Sequence, residues 1–560
     1  MNNENDTNTA TRREVQRELI RDASEWFDMS GGKPSGLTAL KKLYKSSPHV
    51  DEVDILVLWQ DLAQQAKEAK KKAISKKRSK AGKKGGRPGA PPEEQTARQF
   101  VARQMTDEHE FITFRHYRDV WYSFSEDGWH PETDGEMQKR YMTYAQNTPE
   151  LAPYAKRTYA GNVLANAASY NLCGIGGSVE KPCWLSTGKD ARNVIAFSNG
   201  VSVDVWLYAN AIAEGVEPDE ADPCFGGVSP DLFSGDFVNY PFEPSQMPEK
   251  FLNYLERVQP TKDGQEAVQR MLGLLLADTG KFEVFWQLYG IGANGKTVLL
   301  DIINELVGFR NVSNVPLEAL APGTRFQSFP LITSKVNICG ELSTDVGSTH
   351  LAKIEGQFKH CVSGGVIEYE RKGVDKEQGR CRARFVMSSN SLPSFVDTSD
   401  AIWRRLRIIP FPVQIPQDER NPDLAREIIA DELPAICAWA LDGLADVISM
   451  GYVPDSPEGL KMKEEHRGAC DHEKAFIDDH GYISGEHDDW ISSKDLYDEY
   501  KEYMLDNGYR PKGMGRFETR LKQMFPKLRR GVTRIQDNLE LSQLSQKRVF
   551  FGVKKEVLHL

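Results

Sequence analysis

The chain has 560 residues, of which 39% are hydrophobic and 27% charged, and a formal net charge of −10. That length is too great for one core and predicts about three or four domains of an ordinary globular protein. No run approaches the roughly 18 consecutive apolar residues of a bilayer span, and the polar start MNNENDTNTATRREVQ lacks the apolar centre of a secretory signal. A cytoplasmic protein with no membrane partner is the expectation. Eight cysteines, Cys173, Cys183, Cys224, Cys339, Cys361, Cys381, Cys437 and Cys470, are scattered without a C-x-x-C pair. This argues against a zinc site and against a disulfide framework, and predicts isolated buried thiols. His472, near Cys470, reads as a surface residue rather than a ligand.

In chain order, residues 1–66 predict a small helical unit, with Leu19, Ala23, Trp26 and Phe27 at helical spacing and a second apolar run from Val53 to Leu62. Residues 67–95 lose all apolar periodicity and end in Gly and Pro, as a linker does. From Lys67 to Arg87 there are eleven Lys/Arg and one acid, Glu68, so the rest of the chain is strongly acidic. Such a stretch is either a solvating spacer or a phosphate grip. Residues 96–245 are mixed α+β, with strand-like FITF, DVWYSFS and NVIAFSNGVSVDVWLY and a helical stretch around 150–169. FLNYLERV and AVQRMLGLLLADTG read as two helices that open a segment spanning 246–455, and from 284 strands and helices alternate, the signature of an α/β domain with a largely parallel sheet. Residues 468–560 carry helices and then short strands.

The most informative run is Gly290-Ile-Gly292-Ala293-Asn294-Gly295-Lys296-Thr297-Val298, which fits G-x-x-x-x-G-K-[ST]. Glycines let backbone N–H groups turn inward around phosphates. Lys296 supplies a charge to the β/γ-phosphates of ATP, and the Thr297 hydroxyl ligates Mg²⁺. The apolar EVFWQLY before it and the helically spaced Val298, Leu299, Ile302, Ile303 and Leu306 after it give the strand–loop–helix order that a P-loop requires. About forty residues on, the strand KVNIC leads to Gly340-Glu341, a carboxylate placed for Mg²⁺ or water. A third strand, RFVMSS, ends in Asn390, which could orient the attacking water or simply form a turn before Ser391-Leu-Pro393. Arg404 and Arg405 precede the apolar IIPF; taken alone, such a pair is more often a solvated or salt-bridged face.

The order GIGANGKT, ICGE, SGGVIEYERKG, MSSN-LP, WRRLRIIPF resembles the phage and plasmid primase–helicase family, which is similar to the poxvirus primase–helicase and belongs among superfamily 3 helicases. Further likeness lies in AFSNGVSVDVW, AVQRMLGLLLADTG and DELPAICAWALDGLADVI, so that it covers roughly 96–450. The resemblance implies a P-loop, AAA+-like superfamily 3 ATPase core over 246–455, preceded by an α+β lead-in domain over 96–245. It implies Lys296 as the phosphate-loop lysine, Thr297 as Mg²⁺ ligand, Glu341 as the acid that activates water, Asn390 as the sensor and Arg404 and Arg405 as the arginine-finger pair acting across a subunit interface. It also implies a ring hexamer moving 3′ to 5′ on one DNA strand, gripped by a β-hairpin built from Val366–Gly373 and Arg380–Arg384. Lys372 matches the hairpin lysine, with Arg371 and Lys376 beside it. Two departures stand out: Gly365 occupies a position commonly Asp, and Gly340-Glu341 replaces the paired acids of many superfamily members. The second suggests that Mg²⁺ rests mainly on Thr297 and water.

In the last segment, a helix capped by Ser492 is followed by a basic stretch, Arg510 to Arg534, with nine Lys/Arg against Glu518. Phe517, Leu521 and Phe525 share one helical face, with Arg516, Arg520 and Lys527 among exposed positions, and the following short strands resemble a winged helix that binds either DNA or protein. Only about 95 residues precede the lead-in region and they hold no carboxylate cluster, so a helicase without its own primase domain is expected, with a separate primase as partner. The expectation is thus an ATP-dependent replicative DNA helicase of a phage, plasmid or mobile element in a bacterial cytoplasm. The alternatives are an origin-binding initiator ATPase and a signalling or defence ATPase that never unwinds DNA.

Overall fold

The structure is a computed structural model that describes residues 19, 21, 23, 34–44, 55, 59, 62, 64, 90–107, 111–126, 128–169, 172–176, 179–219, 222–244, 246–321, 328–340, 348–370, 377–393, 395, 400–536 and 544–556. The chain forms two compact units, Met1–Pro91 and Pro92–Leu560. In the first, helix α1 (Pro34–Leu43) contributes Leu40 to a small core with Leu19, Ala23, Ile55 and Trp59. Trp26, Phe27 and the basic run 67–87 lie outside the described residues.

The second unit opens with helix α2 (Glu93–Gln104), an antiparallel sheet of β1 (Phe114–Tyr117), β2 (Val120–Ser125) and β3 (Gly128–Glu132), and helices α3 (Asp134–Gln146) and α4 (Arg157–Ala167). Phe100, Trp121, Met137, Tyr141 and Val163 close their core. The FITF run is strand only from Phe114 on, because the ladder starts at Phe114↔Ser123. Next come β4 (Val194–Phe197) and β5 (Val201–Asp204). The run then turns from strand to helix inside VDVWLY: Asp204 accepts the N–H groups of Trp206 and Leu207, each at 3.1 Å, and so starts α5 (Val205–Ala213). A local polar cap overrides the β-branched composition there.

Two helices, α6 (Glu249–Val258) and α7 (Lys262–Leu276), lead into the α/β core. The N-terminus of α6 is satisfied by a distant group: Glu432 accepts from the N–H of Lys250 and of Phe251, each at 2.8 Å. The core contains β6 (Phe285–Tyr289), α8 (Lys296–Val307), β7 (Val312–Ser313), β8 (Val336–Cys339), α9 (Ser348–Val362), a hairpin of β9 (Val366–Tyr369) and β10 (Glu377–Arg380), β11 (Arg384–Ser389) and β12 (Leu406–Pro410). Five strands form one parallel sheet in the order β7-β8-β11-β6-β12. β6 sits inside, flanked by two strands that follow it in the chain, so its carboxyl end is a topological switch point, where α/β sheets bind ligands. Covered on both faces, β6 reads as a nearly continuous apolar run, while β11 is apolar only over its central Phe385–Met387.

Helix α10 (Leu424–Met450) is long and apolar enough to cross a bilayer by length and composition. Here it is a core helix, with Ile428, Ile436, Ala440, Leu441 and Leu444 buried in the cluster shared with α5, α7 and α8. It meets α7 at paired glycines: a Cβ on Gly273 would stand 2.2 Å from the Ala440 carbonyl oxygen, and one on Gly443 would stand 2.5 Å from that of Gln269. Gly273→Ala is therefore expected to destabilise the fold by about 1–3 kcal/mol, despite alanine's better helix propensity, because rigid backbone faces the added methyl. A lowered urea midpoint would show it, and an unchanged or raised midpoint would refute the close packing.

The C-terminal part packs helices α11 (His472–Asp479), α12 (Ser493–Asp506) and α13 (Met514–Met524) against the antiparallel pair β13 (Arg529–Gln536) and β14 (Leu544–Phe551). Ser492 caps α12 as expected, accepting from Asp495 N at 3.4 Å, and Phe517, Leu521 and Phe525 enter the core with Phe476 and Tyr500. All eight cysteines are free and buried. His472 is half-buried and stacks on Tyr509 at 3.7 Å between ring centroids.

Candidate nucleotide site

The loop between β6 and α8 lies at the switch point. Gly292 (φ +107°), Ala293 (φ +50°) and Gly295 (φ +87°) take left-handed backbone, which turns successive N–H groups to one side. Among the described residues no hydrogen bond engages the N–H groups of Gly292 to Gly295, and nothing stands within 4 Å of a Cβ built on Gly292. An open cradle of free donors at the start of a twelve-residue helix fits a phosphate group. Ala293, the one non-glycine held at positive φ here, is fixed by its carbonyl, which accepts from Ile415 N at 2.8 Å.

Lys296 is buried under this loop. Its ammonium donates to the Gly290 carbonyl and, at 3.2 Å, to Asn390 Oδ1. Burial lowers its pKa. The structure thus brings Lys296 and Asn390 together across two adjacent strands. Behind Asn390, buried Gln287 in the middle of β6 donates to Ser389 Oγ at 2.8 Å and ties the ends of β6 and β11. Thr297 and Asn390 are exposed, open to a ligand in the cradle.

Several supporting groups are not evident from the sequence. The Tyr254 hydroxyl on α6 donates to the Gly295 carbonyl at 2.9 Å, and a Cβ on Gly295 would meet Val258 Cγ1 at 2.8 Å. Asn294, buried, donates to the Phe411 carbonyl at 3.4 Å, and a Cβ on Gly290 would stand 2.0 Å from its Nδ2. That the Tyr254 hydroxyl reaches the loop is a long-range fact, since 41 residues separate it from Gly295.

Other expected residues go elsewhere. Glu341, Arg371, Lys372 and Lys376 lie outside the described residues, and those described hold no cluster of three or more potential metal ligands. The hairpin strands pair as Val366↔Arg380 to Tyr369↔Glu377, so Arg382 and Arg384 do not continue it. Arg384 starts β11 and donates to the Phe282 carbonyl at 2.9 Å, while Arg382 is held by Asp236 and Asp278. Gly365 fits this turn because a Cβ there would strike the His360 ring at 2.3 Å. Of the arginine pair, Arg404 is exposed, whereas Arg405 is buried and donates to the Ala401 carbonyl at 2.6 Å, to Ser363 Oγ at 2.9 Å and to Glu283. An arginine so engaged is an internal brace and not a group offered to a neighbour. In the C-terminal part Arg516 is exposed, but Arg520 is ion-paired with buried Asp471 and donates to Gln523 at 2.8 Å.

The chain matches two family models: a family of unknown function (DUF5906) over residues 288–405, and a poxvirus D5 protein-like family over 474–549. It is 23% identical over 405 residues to the "Putative helicase" of Acanthamoeba polyphaga mimivirus, covering 67% of this chain and 38% of that protein. The chain therefore spans well under half the length of this relative. The apo structure of the NrS-1 C-terminal region superposes with a TM-score of 0.38 at 15% identity, over 55% of this chain and 76% of that one, too loosely to bear on the fold.

Proposed function

We propose that this chain, whose D5-like match and mimivirus helicase relative fit the primase–helicase family its motifs resemble, is the ATP-driven motor of a replicative DNA helicase. The observation that carries the reading is the meeting of Lys296 and Asn390 beside an open N–H cradle at the switch point of the parallel sheet. In this reading the 246–455 segment is a superfamily 3, AAA+-like core and 468–560 a winged helix. The cradle and Lys296 bind the β/γ-phosphates of ATP, and Asn390 orients the attacking water. When bound, Mg²⁺ would be held by the Thr297 hydroxyl and would neutralise charge on the phosphates, with Glu341 assigned as the acid that activates water. Arg404, the exposed member of its pair, is the finger offered to the next subunit of a ring hexamer. Lys372 grips the strand with Arg371 and Lys376, translocation runs 3′ to 5′, and a separate primase serves the same phage, plasmid or mobile element in the bacterial cytoplasm.

A second reading, an origin-binding initiator, draws on exposed Arg516 of α13. It expects tight, sequence-dependent duplex binding through residues 490–535 without nucleotide. The test is separation of a forked duplex with a 3′ single-stranded tail. ATP-dependent unwinding is the expected result, and ATP hydrolysis without unwinding would reject the motor in favour of the initiator or a signalling ATPase.

A further inference from the structure

At the amino ends of the parallel strands, opposite the nucleotide edge, the second unit holds a cleft of about 1670 Å³. Its walls come from the β1–β3 sheet, the loop 179–192, the turn after α8 at Gly308–Asn311, and hairpin strand β10. Among the described residues, seven Arg/Lys and five Asp/Glu line it. Three of the acids are already matched: Asp236 and Asp278 hold Arg382, and Asp190 holds Arg192 at 2.6 Å. Glu180 and Glu305 remain, and neither pairs with Lys181, Arg310 or Arg380 among the described residues.

Lys181 is the most informative of these cations. Its ammonium lies 4.6 Å from the Tyr122 ring centroid and 5.1 Å from that of Phe233, with no hydrogen-bond acceptor among the described residues. Burial pulls its pKa down to about 8, despite nearby Asp236, so the charge stands at a cost that a bound anion would offset. Arg310 donates to His130 Nδ1 and pairs with no acid among the described residues, and Arg380 is exposed at the base of the hairpin. Beside Arg310, Phe309 is 74% exposed. Unmatched cations beside an open aromatic face are the pattern that holds sugar–phosphate backbone and stacks bases. The volume exceeds the roughly 300–1,000 Å³ of small-molecule pockets, which favours a polymer over a mononucleotide.

We infer that this cleft is a binding site for single-stranded DNA, distinct from the hairpin tip, in which Lys181, Arg310 and Arg380 contact phosphates and Phe309 stacks on a base. The inference rests on the helicase reading and extends it. Helix α8 carries Lys296 at one end and leads into Phe309 and Arg310 at the other, so one rigid element of about 18 Å joins the nucleotide and DNA edges.

The test is fluorescence anisotropy with a labelled oligothymidylate of about twelve nucleotides, using the full chain without ATP over a range of salt. Lys181→Gln, Arg310→Gln and Arg380→Gln, each checked for an intact melting transition, are compared with the wild type. Each is expected to weaken binding by about threefold or more, and to flatten the slope of log affinity against log salt by about 0.7 per lost phosphate contact. Unchanged affinity and slope in all three folded variants would overturn the cleft while leaving the helicase reading in place. Thymidine monophosphate binding as tightly as the oligomer would overturn the polymer assignment. A wild type that binds no oligothymidylate would remove both cleft and helicase reading. Should the Lys181 variant not fold, photo-crosslinking of 4-thiothymidine oligomers to the wild type decides: adducts within 179–192 or 305–311 support the site, and adducts confined elsewhere reject it.

Discussion

Lys296→Ala is expected to lower ATP turnover by about a hundredfold or more, the scale seen when one preorganised donor to developing charge is removed. Among the described residues Lys296 donates to the Gly290 carbonyl and to Asn390, both of which sit at the ligand edge. Its burial means that the nucleotide-free protein carries a desolvated charge. Removing that charge should leave the melting temperature of the nucleotide-free protein unchanged or raised, while the stabilisation conferred by added ATP disappears. Phosphate release at saturating ATP, measured beside the melting curve with and without nucleotide, separates a catalytic from a folding defect. Turnover within about twofold of wild type would reject this loop as the hydrolytic site.

Asp236→Ala is expected to cost about 3–5 kcal/mol of stability, the range for leaving buried charges unmatched. Asp236 is 2% exposed and accepts from Arg382 through both carboxylate oxygens, with Lys335 Nζ at 3.2 Å. Lys335 also donates to the Leu276 carbonyl at 3.1 Å, and Arg382 to Asp278. Without Asp236, two buried cations would share one acid. Burial alone would raise the Asp236 pKa, but Arg382 and Lys335 outweigh it and hold the carboxyl below its usual value. A depressed folded pKa makes this contribution complete above the unfolded value of about 3.9, and it is lost as pH falls through the folded one. The wild-type advantage in urea midpoint should therefore be full at neutral pH and shrink below about pH 4. A midpoint within about 0.5 kcal/mol of wild type at pH 7 would show that the cluster contributes little.

The two predictions differ in how much of their basis could be read from the chain. Lys296 follows from eight contiguous residues, because a phosphate cradle is a local device: glycines at fixed offsets, a strand before and an amphipathic helix after. Asp236 carries no such signal. Its partners Lys335 and Arg382 lie 99 and 146 positions away and meet it only because β8 and β11 start beside one another in the parallel sheet.

The sequence by itself determined the strand–loop–helix at Phe285–Val307, the paired helices before it and the apolar face of α13. Each of these is written in spacings shorter than about two helical turns, where side-chain periodicity reports burial directly. Only the tertiary structure decided that β11 and β12 flank β6, that Asn390 reaches Lys296 while Arg405 turns inward to Glu283, and that Tyr254 supports Gly295. The same arginine pattern serves a solvent-facing grip or an internal brace equally well, since local spacing fixes which face a side chain occupies but not which distant charge will be waiting there.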